Sequence, residues 1–102
     1  MLQENQHWSS GNWQTSEGNT KEFVERWRDF LTWTKEANDG FYGARLVRDL
    51  QNPNHFVSFA SWRDLDALRA WQGKPEFAEH YNACHALCGD VQSGGYELVV
   101  DI

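Results

Sequence analysis

The residues best suited to chemistry lie in one run of the chain, between Trp71 and Cys88. After Trp71 and a Lys-Pro-Glu break, side chains at i, i+4, i+7 and i+11 form one helical line: Phe77, Tyr81, Cys84 and Cys88, with His80 on its flank. An indole can stack on a flat substrate, a phenol can donate a hydrogen bond, and an imidazole exchanges protons near neutral pH. The run predicts a pocket wall with acid–base groups. The alternative is an inward helix face with Tyr81 satisfied and His80 exposed.

The same helix could in principle bind a metal. His80, Cys84 and Cys88 are spaced i, i+4 and i+8, and imidazole with thiolate suits zinc. A tetrahedral site needs a fourth ligand, and His85 falls on a different face of the helix, so no metal site is expected. Two cysteines four residues apart in a helix are poorly placed for a disulfide, which favours free thiols in a reducing cytoplasm.

A first strand is predicted from His7 to Thr15, and neither of its faces is purely apolar. Alternation places Trp8 and Trp13 on opposite sides, so one should face the pocket and the other a partner of the sheet. Asn12 is a candidate for holding substrate oxygens. Gly11 indicates a bulge or a close approach of another group to the backbone.

The helix that follows Asn19 has an apolar stripe made of Phe23, Trp27, Phe30, Leu31 and Thr34. Such a stripe is typical of a helix packed on a sheet, and Gly40 supplies the stop. Trp27 is the member of the stripe that we expect to contact a substrate.

The remaining chain completes a βαββαβ order. Strands are predicted over Phe41–Leu50, His55–Ser61 and Tyr96–Ile102, helices over Asp64–Trp71 and Pro75–Cys88, and a loop over Gly89–Gly95. This order predicts a ferredoxin-like α+β sandwich with one antiparallel sheet, in a single domain of residues 1–102 with residues 1–6 frayed. The strand at His55–Ser61 is apolar on both faces, which predicts a homodimer formed by sheet-on-sheet packing.

Composition excludes several classes of function. The 102 residues have a formal net charge of −6, and the basic residues are scattered, which argues against nucleic-acid and anionic-membrane partners. No apolar run approaches the ~20 residues of a membrane span. The N-terminal sequence MLQENQHW lacks the features of a signal peptide, so we expect a cytoplasmic protein.

Several segments resemble the antibiotic biosynthesis monooxygenase family of dimeric α+β barrels. They are Gly18, the helix sequence EFVERWRDF, Gly40, and the run SFASWRDLDALRAWQGKPEF. The resemblance covers the chain from about Trp8 to Val100. It implies a barrel-forming dimer, and a family that includes cofactor-free oxygenases of phenolic polyketides, quinol monooxygenases and haem-degrading monooxygenases.

The haem-degrading branch uses an Asn, a Trp and a His. The resemblance places those positions at Gly11, Trp71 and Tyr81, so only the Trp matches. Asn12 and His80 are one residue away, and only a shifted register would bring them into place.

The combined expectation is a cofactor-independent monooxygenase that oxidises a small phenolic or quinol-type molecule with O₂. Trp71 would stack on the substrate, and Tyr81 or His80 with Asn12 would hold its oxygens. The substrate-binding residues would be Trp8, Trp13, Trp27, Phe77 and Cys84. The alternatives are a non-catalytic dimeric module that binds small ligands or is associated with stress, and a haem-binding relative.

Overall fold

The computed structural model describes residues 6–102, so the fraying predicted for residues 1–6 lies outside the described part except at Gln6, whose carbonyl accepts a hydrogen bond of 3.1 Å from the Leu98 N–H. Its elements, in chain order, are β1 (His7–Thr15), α1 (Thr20–Ala37), β2 (Phe41–Arg48), β3 (His55–Trp62), α2 (Leu65–Gln72), α3 (Pro75–His85) and β4 (Cys88–Glu97). The four strands form one antiparallel sheet in the order β2-β3-β1-β4. This arrangement confirms the predicted ferredoxin-like α+β fold.

The inner face of the sheet forms half of the core. Trp13 on β1 and Phe56, Ala60 and Trp62 on β3 alternate onto this face, and all four are buried. The helices cover them with their own apolar stripes, which include Phe23, Phe30, Leu68 and Trp71. Trp62 is fully buried, with its ring 4.7 Å from that of Trp71. The two tryptophans therefore join the sheet to α2.

Local sequence chemistry fixes where the two shorter helices begin. The Asp64 carboxylate accepts a hydrogen bond of 2.8 Å from the Ala67 backbone N–H, which is the usual N-cap contact, and α2 starts at the next residue, Leu65. Pro75 opens α3, where a missing N–H costs nothing. These two starts aim Trp71 and Tyr81 at the same side of the sheet.

The C-terminal part differs from the prediction. α3 ends at His85 rather than Cys88, and the stretch Gly89–Gly95, predicted as a loop, belongs to β4. Residues 98–102 lie outside the sheet, so the predicted strand Tyr96–Ile102 is wrong. The reason is strand pairing, because β4 pairs with the backbone along the free edge of β1, from His7↔Glu97 to Thr15↔Cys88. Tertiary pairing here outweighs the low strand propensity of glycine.

No helix or second sheet within residues 6–102 covers the outer face of the sheet, where residues 98–100 share a groove with Trp8 and Phe59. Val47, Phe59 and Tyr96 are exposed on it, and Tyr42 is exposed at the end of β2. None of the helices within the described part of the chain is long and apolar enough to cross a membrane.

Candidate active site

A cavity of about 200 Å³ lies between the inner face of the sheet and the helices. On the sheet side its lining includes Ser9, Gly11, Trp13, Ser58, Ala60 and Ser93; on the helix side it includes Trp27, Phe30, Leu31, Trp71, Gln72, Phe77 and Tyr81. All seven elements except β2 therefore contribute to it. The helix side is mainly aromatic, while the sheet side combines Trp13 with small residues, several of which carry hydroxyl groups.

The aromatic wall is a set of rings in mutual contact. Trp71 stacks on Phe30 at 5.6 Å between ring centroids and meets Phe77 edge-on at 4.6 Å. Phe77 in turn stacks on Tyr81 at 5.6 Å. Ring contacts of this kind stabilise by roughly 0.5–1.5 kcal/mol each beyond area burial. The wall is thus pre-formed, which suits a flat aromatic ligand.

Trp71 is held in orientation by a buried chain of hydrogen bonds. Its Nε1 donates to the Thr34 hydroxyl at 3.0 Å, and that hydroxyl donates to the Phe30 carbonyl at 2.8 Å. Because the indole N–H is its only donor, Trp71 offers the cavity a ring face and no hydrogen bond.

Gly11 lies at the centre of the floor, paired with Ser58 on β3 and Ser93 on β4. A Cβ at this position would approach Trp13 Nε1 to 2.5 Å and Ser58 Oγ to 2.9 Å, so the floor depends on a residue without a side chain. The Trp13 indole lies over this gap and donates to Ser58 Oγ at 3.0 Å. Next to it, Trp62 Nε1 donates to Ser9 Oγ at 3.2 Å.

The cavity has no charged wall. Among the lining residues that the structure describes, Tyr81 is the only one with an ionisable side chain. Its hydroxyl is 2.9 Å from the Ser93 hydroxyl in an exposed pair, where α3 faces β4. Tyr81 thereby connects the aromatic wall to solvent and is positioned to donate or accept a proton there.

The structure brings five of the nine predicted site residues to the cavity: Trp13, Trp27, Trp71, Phe77 and Tyr81. The other four, namely Trp8, Asn12, His80 and Cys84, are not among its lining residues. The catalytic and binding roles of the five remain predictions, whereas the predicted placement of the four at the pocket is not what the structure shows.

Because side chains alternate along a strand, Trp8 and Asn12 project from the outer face of β1 and do not line the cavity. Asn12 Oδ1 lies 2.6 Å from His55 Nε2, and His55 Nδ1 lies 2.9 Å from Asp49 Oδ2, where the hydrogen bond to the imidazole lowers the pKa of Asp49. Trp8 contributes to an outer groove with Phe59, a residue that also borders the cavity. The one-residue register shift that would bring Asn12 inside does not occur.

His80 and Cys84 are excluded by the packing of α3. His80 stacks on Phe30 at 5.8 Å and on Trp33 at 5.2 Å, away from the cavity. Cys84 is fully buried in the core, where desolvation raises the pKa of its thiol to about 12. The thiol is therefore neutral at physiological pH and unsuited to act as a nucleophile. Within residues 6–102, no cluster of His, Cys, Asp and Glu could hold a metal ion.

Sequence reasoning missed the hydroxyls on the floor, Ser9, Ser58 and Ser93. Ser58 carried a usable signal. It lies between Phe56 and Ala60 on the same buried face of the strand, and a polar side chain there needs a buried hydrogen-bond partner. Ser93 was hidden because its segment reads as a loop.

The residues present do not fit haem. In the resemblance to the haem-degrading branch, the Asn position falls at Gly11, where even a Cβ would collide with Trp13 and Ser58. Of the side chains that supply axial ligands to haem iron, His, Cys and Met do not occur among the described residues that line the cavity, and the hydroxyl of Tyr81 is hydrogen-bonded to Ser93 in an exposed pair.

The fold and the cavity define a class: a ferredoxin-like α+β protein with an aromatic, uncharged pocket between sheet and helices. The model of the family described as antibiotic biosynthesis monooxygenase matches residues 10–83, and the chain belongs to that family. No curated protein matches the sequence.

Solved structures share the fold over nearly the whole chain. SnoaB, a cofactor-independent oxygenase from Streptomyces nogalater, superposes with a TM-score of 0.86 at 23% identity, covering 96% of this chain and 97% of SnoaB. A conserved protein from Methanosarcina mazei Go1 gives a TM-score of 0.83 at 14% identity, covering 93% of this chain and 94% of its own. At these identities the likeness establishes the fold.

Proposed function

We propose that the protein is a cofactor-independent monooxygenase acting on a small phenolic, quinol or enol-type molecule. The observation that carries the proposal is the aromatic cavity in which Tyr81 is the one ionisable group among the described lining residues, in a chain of a monooxygenase family. SnoaB, which shares the fold, is a cofactor-independent oxygenase.

The volume of the cavity bounds the substrate. An apolar cavity of about 150 Å³ can hold one benzene ring. A cavity of about 200 Å³ therefore accommodates one substituted ring or two fused rings. Trp71 would stack on such a ring, and the floor hydroxyls would face its oxygens.

The chemistry rests on a substrate that forms a stabilised carbanion. An activated CH₂ group loses a proton to water and gives an anion, which adds O₂ and takes up one proton to form a hydroperoxide; loss of water from the hydroperoxide then leaves a ketone. The balance is R₂CH₂ + O₂ → R₂C=O + H₂O. The protein supplies orientation, exclusion of water and a proton at the Tyr81 hydroxyl, which the exposed Ser93 pair links to solvent.

Oxygen consumption tests this function. A panel of hydroquinones and naphthohydroquinones, which have one and two rings, is followed with an oxygen electrode for the wild type, Tyr81→Phe and the control His80→Gln. General acid–base catalysis contributes about 10²–10⁴-fold, so we expect Tyr81→Phe to lose at least about a hundredfold in rate. His80→Gln should retain the wild-type rate, because His80 packs outside the cavity. Absence of uptake above the protein-free rate across the panel would refute the proposal.

A second candidate is a non-catalytic binding module. It is favoured by the absence of carboxylates and imidazoles from the described lining residues, which leaves Tyr81 as the one proton-transfer group. Ligand binding without oxygen uptake would support this alternative.

The proposal includes a homodimer through the outer face of the sheet. Val47, Phe59 and Tyr96 are exposed there, and Trp8 Nε1 is buried with no partner within residues 6–102. A second sheet packed on this face would bury these side chains. Light scattering should show a dimer at micromolar concentration, and Phe59→Glu should yield a monomer; a monomeric wild type would contradict this part.

A further inference from the structure

Two floor hydroxyls, those of Ser9 and Ser58, have a fixed hydrogen-bond polarity. Trp62 Nε1 donates to Ser9 Oγ at 3.2 Å, and Trp13 Nε1 donates to Ser58 Oγ at 3.0 Å. An indole N–H can only donate, so each serine oxygen must accept. The hydrogen of each hydroxyl therefore remains available for another acceptor.

Neither hydroxyl has a second partner in the protein within residues 6–102. Both serines line the cavity, and Ser58 is only 8% exposed. A buried hydroxyl hydrogen without an acceptor is unfavourable, and the open space next to both serines is the cavity. An acceptor atom inside the cavity would complete both groups.

We propose that Ser9 and Ser58 are the hydrogen-bond donors that hold the anionic oxygen of a bound phenolate or enolate. Trp62 and Trp13 act as positioning residues, because their N–H groups fix which way each hydroxyl donates. The inference rests on the proposed function, since it names the groups that would stabilise the anion in that same cavity.

The physical basis is preorganisation in an apolar site. A hydroxyl that accepts one hydrogen bond becomes a better donor for the next. Hydrogen bonds to an ionised acceptor are roughly twice as strong as neutral ones. Donors that are already oriented need no rearrangement when the negative charge develops. The cavity thus stabilises an anion with neutral groups, since neither lysine nor arginine occurs among the lining residues that the structure describes.

The test uses p-nitrophenol, because its phenol and phenolate forms absorb at different wavelengths. The apparent pKa of the bound probe is measured by absorbance titration for the wild type, Ser9→Ala, Ser58→Ala and the control Ser61→Ala. Ser61 lies on the same strand as Ser58 but alternates to the opposite face. Ser9→Ala and Ser58→Ala should each raise the apparent pKa of bound p-nitrophenol by about one unit, which corresponds to a tenfold lower preference for the phenolate. Ser61→Ala should match the wild type.

The outcomes separate this inference from the proposed function. A raised pKa of bound p-nitrophenol in the serine variants, together with no oxygen uptake by the wild type, would support the donor pair and refute the proposed oxygenase activity. Oxygen uptake with an unchanged bound pKa in both variants, or a wild type that does not bind the probe, would overturn the donor pair. Should Ser58→Ala fail to fold because the Trp13 N–H loses its buried acceptor, Ser9→Ala decides the test, since Ser9 is only half-buried.

Discussion

The floor of the cavity makes a sharp prediction for Gly11→Ala. The added Cβ would lie 2.5 Å from Trp13 Nε1, 2.7 Å from Trp13 Cε2 and 2.9 Å from Ser58 Oγ. Trp13 and Ser58 are 3% and 8% exposed, so neither can relax into solvent. Overpacking of this kind costs about 1–3 kcal/mol. Separation of the Trp13–Ser58 hydrogen bond adds roughly 1 kcal/mol.

Together these effects predict a loss of about 2–4 kcal/mol in the free energy of unfolding. Urea denaturation followed by tryptophan fluorescence measures it. The matched control is Gly95→Ala, on the neighbouring strand of the same sheet, where a Cβ would meet nothing within 4 Å. Gly95→Ala should be neutral or stabilise the protein by up to about 1 kcal/mol, because alanine lowers the conformational entropy of the unfolded chain. Equal stabilities for the two variants would refute the steric reasoning.

Three further predictions concern buried and capping groups. Thr34→Val removes the acceptor of the Trp71 N–H and should cost about 1–3 kcal/mol in denaturation, whereas Thr34→Ser should recover most of it; equal losses would argue against the hydrogen bond. Asp64→Ala removes the cap of α2 and should lower the urea concentration at the midpoint of unfolding. Because hydrogen bonds, first from the Ala67 N–H, lower the pKa of Asp64, this stabilisation should be present above the unfolded pKa of 3.8 and be lost as pH falls through the folded value; a pH-independent difference between variant and wild type would contradict it. Burial raises the thiol pKa values of Cys84 and Cys88 to about 12 and about 11, so iodoacetamide should modify neither at pH 8 until urea unfolds the chain; rapid labelling of the native protein, read by mass spectrometry, would contradict this.

The fold was accessible from the sequence because its main signals are local. The alternation in β1, the short apolar run of β3, the stripe on α1 and the proline at the start of α3 each predict an element without knowledge of the others. β4 lacked such a signal. Its sequence GDVQSGGYE has polar and glycine residues, and it is a strand only because β1 offers an unpaired edge.

The site was accessible only in part, for a related reason. The size and spacing of large aromatic residues such as Trp71 and Phe77 predict a packed wall. The face on which a residue projects depends on strand register, and a difference of one residue decides it. Asn12 and Gly11 are adjacent, yet the first projects from the outer face and the second forms the cavity floor.

The polar floor also shows how a small core can hold serine hydroxyls together with indole N–H groups. A buried serine and a buried indole N–H are each unfavourable alone, because each would lack a hydrogen-bond partner. Trp13 with Ser58, and Trp62 with Ser9, satisfy one another across β1 and β3. Each pair has one donor left over, since a hydroxyl that accepts can still donate. The groups that stabilise the sheet therefore also give the cavity its polarity, and replacing either serine should affect folding and ligand binding together.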